Sequence, residues 1–277
     1  MELIESRSIF SPATGFIRRG GFEWTCNPYV GCTFGCSYCY AAFLPQNRRP
    51  ANEWGKWITA KKNAAALAEK QAPKVAGQPV YLSSVTDPYQ PAERSLMLTR
   101  GILEALLPHQ PRLTIQTRGP LVVRDIDVLK GFRSLRVNVS IPTDSERVRQ
   151  QFEPKAPPLE SRWDAVQQLK DAGIGVGVCV TPTLPIENVD TFARRIADFK
   201  PDVVVCQDFH DAGGRFGADT GATARGLLAE IGWGPADYRR FVNRLRHGVR
   251  VFEGESGFFP PPAAEAPVAV PVAKLFD

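Results

Sequence analysis

The sequence contains no run of about 18 apolar residues, the length that a membrane-crossing helix requires. That absence excludes a helical integral membrane protein and leaves no expected membrane partner. The opening residues, MELIESRSIF, begin acidic and carry no long apolar block, so no signal peptide is expected and the expected location is cytoplasmic. Cysteine is scarce: 6 in 277 residues are too few for a disulfide scaffold, and the cytosol keeps thiols reduced. No internal repeat of short fixed period is visible. Strong charge of one sign is also missing. The net charge of +5 permits a nucleic acid or another anionic substrate without demanding one. The length allows one large domain or two small ones.

What is present is an alternation of strand-like and helix-like segments. Apolar, Val- and Ile-rich runs at 22–28, 79–84, 112–117, 135–141, 174–181 and 202–207 read as buried parallel strands. Helical patterns at 59–71, 95–107, 126–131, 159–172 and 189–199 lie between them, the fourth stopping at Ala172-Gly173. Such alternation predicts an α/β fold with a parallel sheet. Six units are too few to close an eight-stranded barrel, so the expectation is a partial, open (β/α)6 barrel over residues 1–210. A short helical and loop extension is expected at 211–257, Gly-rich at 211–217 and helical at 235–248. A flexible Pro/Ala-rich tail is expected at 258–277.

Three of the cysteines are crowded into GCTFGCSYCY, where Cys32, Cys36 and Cys39 have C-x3-C-x2-C spacing. Three thiols cannot all pair with one another, and the glycines suit a tight loop that brings the sulfurs together. An iron–sulfur cluster held by three cysteines keeps one iron open for another ligand. Three alternatives stand beside that reading: an iron–sulfur protein that only transfers electrons, a binding protein with a structural zinc site completed by Cys26, and unrelated buried thiols. Cys26, Cys179 and Cys206 are too scattered for a second cluster.

Functional groups in parallel α/β folds gather at the carboxyl ends of strands. Here those ends carry the cysteine loop, then SSVTDPYQPAE with Ser83, Ser84, Thr86, Asp87 and Glu93, then Thr117 and Arg118. Asn138 and Ser140, Thr181, and Gln207, Asp208 and His210 follow on the later strands. Polar groups placed there cost desolvation unless something uses them.

The C-x3-C-x2-C motif with an aromatic residue before its last cysteine resembles the radical S-adenosylmethionine (SAM) superfamily. The longer strings NPYVGCTFGCSYCYA, SSVTDPYQPAE, VNVSIPTDSERVRQQFEP and LKDAGIGVGVCVTPTLP resemble its spore photoproduct lyase-like branch. The resemblance implies that Cys32, Cys36 and Cys39 hold a [4Fe–4S] cluster whose open iron binds SAM. An electron would cleave the cofactor to methionine and a 5′-deoxyadenosyl radical, which takes a hydrogen atom from the substrate. A low-potential electron donor such as flavodoxin or ferredoxin is implied as a partner. Thr86 and Asp87 match positions near the SAM amine. Arg118 stands where the lyase has a lysine that contacts SAM, Ser140 matches a ribose-side serine, and Gly175 and Gly177 lie where adenine approaches the backbone. Tyr38 and Tyr40 match tyrosines linked to SAM positioning or radical relay.

Each of these residues also has an ordinary reading: an Asp-Pro turn, a solvated arginine, a satisfied hydroxyl, strand packing, plain aromatic packing. The sequence departs from the lyase where a hydrogen-donating cysteine is expected three residues before Asp87, since Ser84 stands there. A hydroxyl O–H bond is too strong for that donation, and Cys179 or Cys206 could substitute only by facing the cavity. The run YRRFVNRLRHGVR, with Arg239, Arg240, Arg244, Arg246 and Arg250, is either a phosphate-binding face or a solvated helix face.

Overall fold

The computed structural model describes residues 1–44, 47, 49–209 and 220–263. Its strands are β1 (Glu2–Ile4), β2 (Phe10–Pro12), β3 (Trp24–Cys26), β4 (Tyr29–Val30), β5 (Thr59–Lys61), β6 (Pro79–Leu82), β7 (Arg112–Thr117), β8 (Leu135–Ser140), β9 (Gly175–Val180), β10 (Val203–Cys206) and β11 (Val251–Glu253). Its α-helices are α1 (Gly15–Arg19), α2 (Ala64–Gln71), α3 (Glu93–Leu96), α4 (Leu98–Leu106), α5 (Ile126–Leu129), α6 (Glu146–Phe152), α7 (Leu159–Asp171), α8 (Val189–Phe199), α9 (Ala222–Ile231) and α10 (Pro235–Arg246).

The large sheet runs β11-β10-β9-β8-β7-β6-β3-β2. Every neighbouring pair is parallel except β2–β3 at one edge. Strands β3 and β6 to β10 are the six expected ones, adjacent in chain order, as an open βα barrel requires. A seventh parallel strand, β11, pairs with β10 from within the stretch read as an extension. Three residues are too short a run to stand out by pattern. Residues 59–61, read as the start of a helix, instead form β5, which lies between β1 and β4 in a separate small sheet. The helix begins at Ala64.

Alternation along the strands sets the two faces. In β8, Val137 and Val139 join the main core under the helices, while Arg136, Asn138 and Ser140 project to the barrel interior. Helix α7 lays Trp163, Val166 and Leu169 on the outer face, at the spacing of one helical stripe. The helix expected over 95–107 is broken at Met97, where φ is +51°. The buried Glu93 carboxylate accepts from the backbone N–H groups of Thr99 (3.0 Å) and Arg100 (3.4 Å). It thus caps a new helix, α4, by the attraction of a carboxylate to a helix amino end.

The tail expected to be flexible is held over its described part. Phe258 is buried against Phe16 and Tyr81. The carbonyls of Phe259, Pro261 and Pro262 accept from Arg136, Arg112 and Ser134. These partners belong to β7, β8 and the turn before it, so the segment closes the amino-terminal end of the barrel interior. No helix among the described residues is long and apolar enough to cross a membrane.

Candidate active site

The cysteine loop follows β4 and is shaped by two glycines in the left-handed region. Gly31 has φ +80°, and a Cβ there would lie 2.7 Å from the Trp57 ring. Gly35 has φ +62° and packs on Gly55, backbone against backbone, so that a Cβ at Gly35 would stand 3.0 Å from the Gly55 Cα. Only glycine allows both the turn and the approach. Cys32 and Cys36 are buried and Cys39 is half-buried. They sit in a satellite cluster with Phe34, Tyr38, Phe152, Leu184 and Ala224, apart from the main core. Cys26 lies in the main core on the outer face of β3, so the fourth ligand that a zinc site would need is elsewhere. Among the described residues no three His, Cys, Asp or Glu side chains converge on a single-ion position. A multi-iron cluster does not require such a shared point, because each thiolate takes its own iron.

Three strand ends clamp this loop. From the β6 end, Thr86 Oγ1 donates to the Gly31 carbonyl at 2.6 Å and accepts from Gln90 Nε2 at 3.2 Å. Gln90 Oε1 accepts from Thr33 N (3.0 Å) and Thr33 Oγ1 (3.3 Å). From the β7 end, Arg118 Nη1 donates to Cys36 Sγ (2.7 Å), Tyr38 OH (2.9 Å) and Glu153 Oε1 (2.6 Å). From the connection after β8, Glu153 accepts the Tyr38 hydroxyl, and the Phe152 carbonyl accepts from Ser37 N at 2.9 Å. The Tyr40 hydroxyl donates to the Ser84 carbonyl. Phe209 packs edge-on to Tyr38, and Phe152 and Trp54 complete an apolar wall.

Asp87 is an orienting group. Its carboxylate accepts from Tyr89 N (2.9 Å), Thr117 Oγ1 (2.7 Å) and Arg118 N (2.9 Å), with Arg118 Nε at 4.0 Å. The contact to Tyr89 is the Asx turn of the ordinary reading, and the contacts to Thr117 and Arg118 add a tie across strands. Burial raises its carboxyl pKa, and Arg118 and the donors offset part of that. Burial also pushes the Cys32 thiol up to about 12, with the Asp87 charge adding to it. Cys36 is raised further by burial, against the pull of the Arg118 guanidinium. Metal ligation displaces such protons, and the adjoining guanidinium offsets the thiolate charge that results.

Ser140 faces the interior at the end of β8 and accepts from Gln116 Nε2 at 2.9 Å, while Gln116 Oε1 accepts from the Tyr81 hydroxyl at 3.1 Å. Cys179 joins this network, its Sγ 3.7 Å from Gln116 Oε1, so its thiol is interior. Cys206 faces the outer core. Gly175 stands apart from this group. It opens β9 opposite Arg136, about 16 Å along the strand from the carboxyl end. Its missing Cβ leaves room for Asp202 and the Leu135 carbonyl. At Gly177 a Cβ would stand 2.3 Å from Asn138 Oδ1, so that glycine makes room for a neighbouring strand. His210 and the loop 211–217 lie outside the described residues. In the arginine-rich helix, Arg240, Arg244 and Arg246 pair with Asp237, Asp190 and Glu253, and Arg250 lies over the Phe252 ring. These pairings match the solvated-face reading.

Gln90, Glu153 and Arg162 are the residues that pattern reasoning missed. Gln90 sits inside SSVTDPYQPAE and Glu153 inside VNVSIPTDSERVRQQFEP, but no spacing points to either. Tyr38 and Glu153 are 115 positions apart.

A family model for the radical SAM superfamily matches residues 26–199. The chain belongs to the radical SAM superfamily, a superfamily of enzymes. Among curated relatives, an uncharacterized protein of Methanocaldococcus jannaschii is 34% identical over 165 residues, 60% of this chain and 62% of that one. An uncharacterized protein of Acidianus two-tailed virus is 30% identical over 210 residues, covering 69% and 68%. One of Mycobacterium bovis is 31% identical over 173 residues, and the match spans 59% of this chain and 50% of that one. This radical SAM chain thus spans between half and about two thirds of these relatives. Among solved structures, spore photoproduct lyase with bound AdoMet and dinucleoside spore photoproduct superposes with TM-score 0.61 at 15% identity, covering 91% of this chain and 81% of that one. Streptococcus suis SuiB bound to its precursor peptide gives TM-score 0.53 at 13% identity, covering 80% and 44%. At these identities the likeness is one of fold: a mostly parallel partial barrel of the radical SAM type.

Proposed function

We propose that the chain is a radical SAM enzyme in which Cys32, Cys36 and Cys39 hold a [4Fe–4S] cluster, SAM binds at the adjoining strand ends, and a hydrogen atom is taken from a substrate not yet identified. The observation that carries this reading is the bridging position of Arg118. One guanidinium at the end of β7 contacts the thiol loop through Cys36 and is oriented by Asp87 and Glu153. A zinc site or a simple electron carrier needs no such linkage between a thiol loop and polar strand ends.

The donor set fits the cluster: three thiols on a glycine-shaped loop, walled by aromatic residues and faced by a cation. When bound, the cluster and SAM together supply a strong hydrogen-atom abstractor, with the electron coming from a low-potential donor. The protein supplies orientation and dryness. Arg118 Nη2 has no partner among the described residues, and the side chain is 17% exposed, so a guanidinium edge is available to the methionine carboxylate. Thr86 and Asp87 at the β6 end would hold the cofactor's amine, and Ser140 with Gln116 would offer a hydroxyl and an amide to its ribose. Tyr38, Phe209 and Phe152 exclude water from the thiols, and Tyr40 ties their loop to Ser84. A lyase-type repair of DNA is disfavoured, because the donor position holds Ser84 while the interior thiol is Cys179 on β9.

Anaerobic reconstitution with iron and sulfide, followed by dithionite and SAM, tests the proposal by chromatography of 5′-deoxyadenosine. The nucleoside is expected from the wild type and not from Cys36→Ala. A colourless protein with one bound zinc, or a full cluster that never turns over SAM, overturns it.

A further inference from the structure

Glu153 ends α6 with both carboxylate oxygens engaged and its side chain 0% exposed. Oε1 accepts from Arg118 Nη1 and from the Tyr38 hydroxyl, and Oε2 accepts from Arg162 Nη2 at 2.5 Å. Arg162, also fully buried, is itself fixed by backbone: Nε and Nη2 donate to the Pro157 carbonyl (3.0 and 2.8 Å) and Nη1 to that of Ser140 (3.0 Å). Arg149 Nη1 locks the Glu153 backbone through the carbonyls of Glu153 and Ala156. Burial alone would raise the Glu153 carboxyl, but the two guanidiniums hold it below the usual range, so it is ionised. Arg162 alone would satisfy that charge. The second cation, Arg118, is therefore surplus to Glu153, and its Nη1 also lies 2.7 Å from Cys36 Sγ.

We propose that Glu153 is a positioning residue: backed by Arg162, it holds the Arg118 guanidinium against the Cys36 sulfur and thereby raises the reduction potential of the cluster bound there. This rests on the cluster reading above. Hydrogen bonds to the sulfurs and local charge set iron–sulfur potentials, and a cation that donates to a ligating sulfur favours the more negative, reduced state. In the step concerned, one electron from dithionite enters the cluster and no bond on the chain is made or broken. The direct effect of the Glu153 charge has the opposite sign, because a nearby anion lowers the potential. Direction therefore separates positioning from simple charge.

The test is a redox titration, followed by electron paramagnetic resonance, of the full reconstituted chain with iron and sulfide counted per chain. Wild type, Glu153→Asp, Arg118→Met and their double variant are compared. E153D keeps the charge and shortens the reach, so the proposal expects a full cluster with a lower potential. The expected shift is about tenfold in the one-electron equilibrium, about 59 mV. E153D should add nothing in the R118M background, since both act through one contact. A full cluster in E153D at the wild-type potential, or an equal shift in the R118M background, overturns the proposal while leaving the cluster reading intact. A wild-type chain that takes up no cluster overturns both. Should E153D fail to fold or load, Arg162→Lys carries the test. It keeps every charge and loses the Pro157 and Ser140 contacts that fix the cation behind Glu153, and it must also lower the potential for the proposal to stand.

Discussion

Replacing Gln90 with leucine should release the cysteine loop while leaving the sheet in place. Gln90 is wholly buried. It makes three side-chain bonds, accepting from Thr33 N at 3.0 Å and Thr33 Oγ1 at 3.3 Å and donating to Thr86 Oγ1 at 3.2 Å. Leucine fills the space and makes none of them. A buried donor left without an acceptor costs about 1–3 kcal/mol. The Thr33 amide is such a donor, although Thr33 is only partly buried and its hydroxyl can turn toward water. About 2 kcal/mol is therefore the expected loss, concentrated on the loop between Cys32 and Cys36. That energy raises the population of the opened loop by about 30-fold. The assay is anaerobic loss of iron from the reconstituted chain to a strong chelator, followed by bleaching, beside a thermal melt by circular dichroism. Q90L should lose iron about 30-fold faster, and its Tm should fall by no more than about 4–8 °C. A Q90L chain that releases iron at the wild-type rate refutes the reasoning.

Other perturbations follow from the same geometry. Arg162→Met removes one of the two guanidiniums that pair with the buried Glu153 carboxylate and leaves Arg118 as its remaining cation, at about 1–3 kcal/mol in stability; denaturant unfolding measures it, and a midpoint unchanged from the wild type contradicts the buried pairing. Gly35→Ala forces a side chain into a left-handed turn pressed on Gly55; at about 1–2 kcal/mol for the turn alone, it should cut the iron retained after reconstitution, which colorimetric iron assay reads. Burial pushes the Cys26 and Cys179 thiols up to about 12 from 9.0. Raised thiol pKa values favour the folded state below the unfolded value, so that stability is complete below pH 9.0 and is lost progressively as pH rises toward about 12. A Cys26→Ala/Cys179→Ala chain should show a flatter decline of Tm over that alkaline range; equal slopes would exclude these thiols as its source.

Much of the fold and part of the site were legible in the sequence. The six strands were visible because a strand buried on both faces must be apolar nearly throughout, and their order in the sheet followed from the short βα connections. The thiol loop was visible because cluster ligation needs several thiolates from one short segment. Thr86, Asp87, Arg118 and Ser140 were visible as polar residues placed where apolar strands end. Outside the reach of pattern were β5 and β11, whose three-residue runs carry no period, and the break at Met97, imposed by a buried carboxylate that caps α4.

By itself the sequence determined which chemistry the chain can support, because side-chain type and local spacing are properties of the chain alone. Only the tertiary structure decided which residues act together. It separated Gly175 from the strand ends by setting it at the far end of β9, and it turned Cys179 inward and Cys206 outward through the twofold alternation of adjacent strands. It also brought Glu153, backed by Arg162, beneath Arg118, with Glu153 lying 115 positions from Tyr38. The physical reason is common to all three. Strand register and the return path of a helix fix where a side chain ends up, and both are set by burial summed over the whole sheet rather than by any neighbour in sequence.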